Sequence, residues 1–293
     1  MTATVLADAL GPRARRRVLV ATVVSTVLLG AVVAVAVRRL ETQGQLRAVL
    51  WDSFTEWAVW RFLLGGLVET LRVAFVAMGL SMVVGLVLAL GRLAQTPPVR
   101  WAFTAWTQFF RGVPVLLLIF FSFLVLPEYG LDWSSRWYLV FGLTLYNSAV
   151  LGEIFRAGIL SLERGQMEAA LGIGLTYWKA MRLVILPQAF RRMVPAVVSQ
   201  LVTLLKDTSL GFIIAHEELL RRANILGVAR KNLLQSLFVA ALMYLVVNFV
   251  LSVVARRLEV RQRRRYSAGA IAVGGVEDLA VTAAHGEAEV ERG

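Results

Sequence analysis

The sequence predicts an all-helical integral membrane protein with six membrane-spanning helices, and three observations carry that expectation. Of its 293 residues, 58% are hydrophobic and 17% charged, with a mean hydropathy of +0.69, more apolar side chain than one soluble core can enclose. These apolar residues are gathered into six long runs, at 18–37, 73–90, 113–126, 139–151, 194–205 and 233–254. The basic residues, which give a formal charge of +12, stand at the ends of the runs, where anionic headgroups neutralise them. That placement argues against a nucleic-acid partner, since no basic groove with interleaved aromatics occurs.

Each element follows from its own residues. Arg13, Arg15, Arg16 and Arg17 precede the first run, whose length of about 20 residues matches a bilayer crossing and exceeds a signal-peptide core. Arg38, Arg39, Leu40 and Glu41 follow it with no small-x-small cleavage site, so an uncleaved anchor helix is expected. The segment 38–62 carries Trp51, Trp57 and Trp60, which suits either a chain lying in the headgroup layer or a packed loop. Several later runs are shorter than the roughly 20 residues a helix needs to cross, so their helices must extend through polar ends. Alternate connecting segments hold 18 and 9 Lys and Arg residues, and the richer set belongs inside. Both termini are therefore expected in the cytoplasm of a plasma-membrane protein. Three regions follow: 1–64, with the basic N-terminus, first span and outer segment; 65–257, the spanning core with a cytoplasmic loop at about 160–187; and 258–293, a tail ending AAHGEAEVERG whose composition cannot bury a core.

The loop is the most informative stretch. Residues 153–192 hold six basic and three acidic side chains, far more chain than a helix–helix turn needs. GQMEAAL (165–171) favours a short helix, which Gly172 and Gly174 end. Thr176 then caps a second helix, YWKAMRLVIL, which Pro187 is expected to terminate. Ala169 and Ala170 leave one side of the first helix bare, so a second protein can approach its backbone. An amphipathic helix resting on the inner leaflet is the plainer alternative.

Glu168-Ala169-Ala170, then three residues, Gly174, nine residues, and Val184-Ile185-Leu186-Pro187 resemble the EAA signature of binding-protein-dependent ABC transporter permeases. Val184 stands where that signature has isoleucine. FRGVP (110–114), EIFRAGILSLERGQMEAA (153–170), LPQAFRRMVPA (186–196) and LLKDTSL (204–210) are similar to the polar amino acid branch of that family. VLADALGPRARRR (5–17) and GQL (44–46) resemble its actinobacterial glutamate-uptake members, specifically the second of two membrane subunits. The resemblance implies the five-helix core of a type I importer plus an additional N-terminal helix. It implies that Gly165, Glu168, Ala169, Ala170, Gly174, Leu186 and Pro187 couple the chain to a cytoplasmic ATPase. It further implies a homologous permease as partner, two ATPase subunits that bind ATP and Mg, an extracytoplasmic substrate-binding protein, and no cofactor on this chain.

Charges within the apolar runs need partners, because an ionised side chain at bilayer depth costs roughly 2.5–3.5 kcal/mol on insertion scales. Lys206 and Asp207 are adjacent and point about 100° apart on a helix, so each must find a different partner. With Thr208 and Ser209 they either line a substrate path or end a helix at the outer interface. Glu153 and Arg156 share a helical face and, with Arg111 ahead of Pro114, are expected to clamp the base of the loop rather than touch substrate. Glu69 and Arg72 repeat the three-residue spacing as a packing pair.

Catalytic chemistry is missing from the sequence. The three lysines, Lys179, Lys206 and Lys231, follow Trp, Leu and Arg, so no phosphate-cradling Gly-Lys loop exists. HEELL (216–220) has Leu220 where a zinc-protease helix needs histidine, no G-x-S-x-G elbow occurs, and His216 and His285 are expected to be solvated. The 0 cysteines exclude thiolate metal sites on this chain. ATP hydrolysis therefore falls to a partner. An ion-coupled secondary transporter remains the rival from another class, although the two related halves it calls for are absent.

Overall fold

The structure, a computed structural model, describes residues 11–162, 164–254 and 256–257. The tail at 258–293, and His285 with it, lies outside the described residues. All regular structure among the described residues is helical: α1 Pro12–Thr42, α2 Trp57–Arg92, α3 Pro97–Gly112, α4 Val115–Val125, α5 Ser135–Leu160, α6 Arg164–Gly172, α7 Tyr177–Ala180, α8 Leu186–Asp207, α9 Leu219–Ala229 and α10 Leu233–Val254.

Five helical stretches are long and apolar enough to cross a membrane, and the count reaches six if α3 and α4, which meet at 98°, are taken together as one broken span. The expected third span therefore contains only the 11 residues of α4, about 16 Å of helix against roughly 30 Å of hydrocarbon. The cause is local. Pro114 caps α4 and forces the preceding Val113 into an extended conformation, φ −84° and ψ 130°, so the chain turns there.

Helices α2 and α5 run parallel and form the central pair. Small residues let their backbones meet: a Cβ added at Gly85 would lie 3.0 Å from the Ser148 carbonyl oxygen, and Gly152 faces Leu88 in return. At Gly142 a Cβ would lie 2.7 Å from Ile119 Cα, which seats α4 against α5. Val73, Ala77, Leu139, Leu143, Leu151, Phe155, Met181, Ile185, Ala189 and Leu204 fill the main core; a smaller cluster of Val59, Leu63, Leu219, Ala223, Val239 and Ala240 joins α2, α9 and α10. Helix α1 keeps its apolar surface uncovered by the other described residues, with Leu29 at 65% and Val32 at 66% exposure, as expected of an anchor that meets lipid or another subunit.

The segment before α2 is a packed loop. Two 3-10 turns, Ala48–Leu50 and Asp52–Thr55, set Trp51 against Phe54 and Phe238, and Trp60 Nε1 donates to the Phe54 carbonyl at 2.8 Å. Trp57, 70% exposed, turns outward, and Trp51 keeps 37% of its surface exposed.

Candidate functional site

The short helix α6 forms where the sequence places it, and its far end closes in a Schellman turn. The Leu175 N–H donates to Ala170 O at 3.2 Å and the Gly174 N–H to Leu171 O at 2.9 Å, with Gly174 at φ +83°, a conformation that a side chain disfavours. Gly165, Glu168 and Ala169 are exposed, whereas Ala170 is buried. The bare face is thus split: Ala170 seats α6 on the protein, and Glu168 and Ala169 look outward. Apolar side chains accompany them, with Ile173 80%, Trp178 63% and Leu183 63% exposed. An apolar, knob-like projection beside a carboxylate fits a protein cleft better than water.

Pro187 does not end the second helix. Thr176 occupies the N-cap position without a side-chain cap bond, and α7 runs through a π turn at Met181–Ile185 into α8. The Leu186 N–H donates to Met181 O across that turn. A π turn widens the spiral where proline has no N–H to give and its ring needs room, so the helix continues. Leu186 is half-buried and Pro187 exposed.

In the last two turns of α5, Glu153 accepts from Arg111 Nη1 at 3.3 Å and from Arg156 Nη1 at 3.4 Å, so the three residues proposed as a clamp are in contact. Its closest partner was missed: Arg92, at the end of α2 and only 7% exposed in its side chain. Spacing finds Arg156 because it is three residues away; nothing local points 61 residues back. At the opposite end of the α2–α5 pair, Glu69 binds Arg136 through both carboxylate oxygens, while Arg72 stands 3.8 Å off. The packing pair of the sequence is thus secondary. From Glu69 to Arg92 is about 34 Å along a helix at 1.5 Å per residue, close to the hydrocarbon thickness, so the two ionic clusters stand one bilayer-core length apart on α2.

His216 is also corrected. Rather than solvated, it is 5% exposed, with Nδ1 3.1 Å from Ser135 Oγ and Nε2 3.4 Å from Glu69 Oε1. Burial holds its pKa below the ordinary value, Glu69 and Glu217 opposing that shift and Arg136 adding to it. Glu218, next to it, caps α9 by accepting from the Leu220 and Arg221 N–H groups at 2.9 and 2.8 Å and receives the Tyr244 hydroxyl. Its burial pushes the carboxyl upward against those hydrogen bonds.

The four residues expected to line a path do not share one face. Lys206 is exposed and Asp207 and Ser209 are half-buried, but Thr208 is fully buried and donates to Leu205 O at 2.7 Å. Ser209 gives its hydroxyl to Lys206 O at 2.7 Å. The exposed polar face of α8 instead runs Ser199, Thr203 and Lys206, steps of four and three residues that keep one side of a helix. That spacing was legible, and the KDTS contiguity drew attention away from it. On the inner side Gln200 Nε2 donates to Asn147 Oδ1 at 2.8 Å, tying α8 to α5 in mid-span. Among the described residues no group of His, Asp and Glu could hold a metal ion.

Comparison with known proteins places these features in a family setting. Residues 81–264 match the model of the binding-protein-dependent transport system inner membrane component. The chain is 42% identical over 204 residues to the probable glutamine ABC transporter permease protein GlnP of Bacillus subtilis, covering 69% of this chain and 94% of that one. It is 39% identical over 229 residues to the glutamate transport system permease protein GluD of Corynebacterium glutamicum, covering 77% and 84%. The crystal structure of an amino acid ABC transporter with histidines superposes with a TM-score of 0.63 at 28% identity, over 70% of this chain and 94% of that one.

Proposed function

The chain belongs to the family of binding-protein-dependent transport system inner membrane components, and from that premise we propose that it is the permease subunit of an ATP-driven importer of polar amino acids, with glutamate the first candidate substrate. The exposed Glu168–Ala169 projection of α6, held by the Gly174 turn, carries this reading: it gives a cytoplasmic ATPase a rigid apolar knob to grip. Gly165, Leu186 and Pro187 shape the base of the knob. ATP and Mg belong to two such ATPase subunits, a homologous permease completes the path, and a binding protein delivers substrate at the outer face. Both termini then lie in the cytoplasm. Membership in the family leaves the ion-coupled alternative without support.

The mechanism is a shift between inward- and outward-facing populations, driven by the different affinities of ATP and of loaded binding protein for the two states. α6 receives the ATPase movement, and α8 presents Ser199, Thr203 and Lys206 to the path. Glutamate is favoured by the resemblance of residues 5–17 and 44–46 to the glutamate-uptake branch and by the GluD relative; the GlnP relative makes glutamine the substrate to test against it. Single-cysteine pairs between position 169 and the ATPase cleft are expected to cross-link, and unlabelled glutamate is expected to compete for labelled glutamate uptake better than glutamine, aspartate, histidine or arginine. Absence of any ATPase cross-link refutes the coupling role; stronger competition by glutamine or arginine refutes the substrate.

A further inference from the structure

A cavity of about 710 Å³ opens at the outer end of the α2–α5 pair, lined among others by Glu69, Arg72, Ser135, His216, Glu217 and Arg222. Arg136 lines it too, so three guanidinium groups face two carboxylates. Both carboxylates are already engaged. Glu69 is held by Arg136 Nε and, at 2.9 Å, by Arg136 Nη2, with His216 Nε2 at 3.4 Å; Glu217 lies 3.7 Å from Arg222 Nη2. Arg222 is fixed in place, donating to Phe62 O at 3.1 Å and stacked on the Phe62 ring. Arg72 is the surplus cation: its side chain is 66% exposed and its ion pair with Glu69 is long, at 3.8 Å. Beside it, the buried His216 Nε2 has no hydrogen-bond partner.

We propose that this pocket is a carboxylate acceptor that takes an acidic side chain of the extracytoplasmic binding protein, with Arg72 as the receiving group and Glu69, Arg136 and His216 as the rigid base that holds it forward. A free amino acid fits less well, because its ammonium group needs an unpaired carboxylate and the pocket offers none. The position agrees: the cavity is at the end of α2 remote from α6, about 34 Å from Arg92 by helical rise, where a partner opposite the ATPase arrives. This inference rests on the importer reading above. A charge at the rim of an interface acts on association rate and salt dependence more than on packing, which defines the test.

The complete importer, reconstituted in lipid nanodiscs, is titrated with its loaded binding protein while ATP hydrolysis is followed. Arg72→Glu is expected to raise the half-maximal binding-protein concentration about tenfold, and Arg72→Gln by about threefold, with the maximal hydrolysis rate unchanged. The salt dependence of that concentration should flatten in Arg72→Gln. One Asp or Glu→Arg change on the binding protein should restore Arg72→Glu. An unchanged half-maximal concentration in both variants overturns the proposal. So does a raised KM for the amino acid at saturating binding protein with unaltered docking, which assigns the pocket to substrate. If the unsubstituted importer is not stimulated by binding protein at all, the importer reading itself falls, an outcome separable from failure of Arg72 alone.

Discussion

Replacing Gly174 by alanine isolates what the end of α6 contributes. An added Cβ meets nothing within 4 Å, so no steric clash enters, and the whole cost is that of holding a side-chain-bearing residue at φ +83°. That cost is about 1–2 kcal/mol, which shifts the balance between the closed and frayed turn by about 5- to 30-fold. Asparagine tolerates the left-handed region better, so Gly174→Asn should lose only a fraction of this. The bonds at risk are Leu175 N–H to Ala170 O and Gly174 N–H to Leu171 O. Amide hydrogen exchange over 170–176 should accelerate in the order Gly, Asn, Ala, and amino acid uptake should fall in the same order at equal membrane abundance. Alanine behaving like glycine in both assays refutes the argument. Asparagine as damaging as alanine would instead assign the effect to a side chain on the docking surface.

Three further outcomes follow from the packing. Glu153→Gln leaves Arg92, Arg111 and Arg156 together with no counter-ion; allowing for the 31% exposure of Glu153, it should destabilise by roughly 2–3 kcal/mol, seen as a lower melting temperature in detergent, whereas Arg156→Gln should cost under about 1 kcal/mol. Gly142→Ala drives a Cβ to 2.7 Å from Ile119 Cα, a backbone atom that no rotamer change can move, so overpacking of about 1–3 kcal/mol outweighs the helix-propensity gain of up to about 1 kcal/mol; Gly79→Ala, with open space around it, shows that gain alone, and equal melting of the two variants contradicts the packing. His216 has a folded pKa below its ordinary 6.5, so the stability that its neutral form contributes is present above pH 6.5 and lost as pH falls from there through the lower folded value; His216→Gln should remove that acid limb from the melting temperature measured between about pH 5 and 8.

What the sequence reveals divides along physical lines. Membrane crossings, the α6 helix and its glycine stop depend on runs and spacings within a few residues, and these were legible. The Glu153–Arg156 pair was legible for the same reason, being one helical turn apart. Arg92 and Arg136 were not, because their partners lie 61 and 67 residues away and only the parallel docking of α2 on α5 brings them together. His216 was misread because an isolated histidine in a polar loop carries no sign of the Ser135–Glu69 niche that encloses it. The break in the third span was not read from the sequence: Pro114 sat at the head of the apolar run 113–126, and no local spacing says that α3 would lie across α4.

On the proposed coupling role of α6, the continuous helix across Pro187 sets how a movement there would reach the membrane. Had the proline ended a helix, a loose joint would separate the knob from α8. Instead the stretch Tyr177–Ile214 is one helical element of 38 residues, so a tilt imposed near α7 is carried along its length. From Pro187 to Lys206 is about 29 Å at 1.5 Å per residue, and a tilt of about 10° over that arm moves the exposed Lys206 by about 5 Å. The π turn sets the phase of this lever, because one residue inserted into an α-helix rotates all that follows by about 100°. Pro187→Ala restores an N–H and removes the ring, which favours relaxation of the π turn to α and turns Ser199, Thr203 and Lys206 away from their present side relative to α6. The expected result is a chain that reaches the membrane and still binds its ATPase, with basal ATP hydrolysis retained and amino acid uptake lost. Uptake at the unsubstituted level in Pro187→Ala, with the π turn shown to be gone by a structure of the variant, would refute the lever.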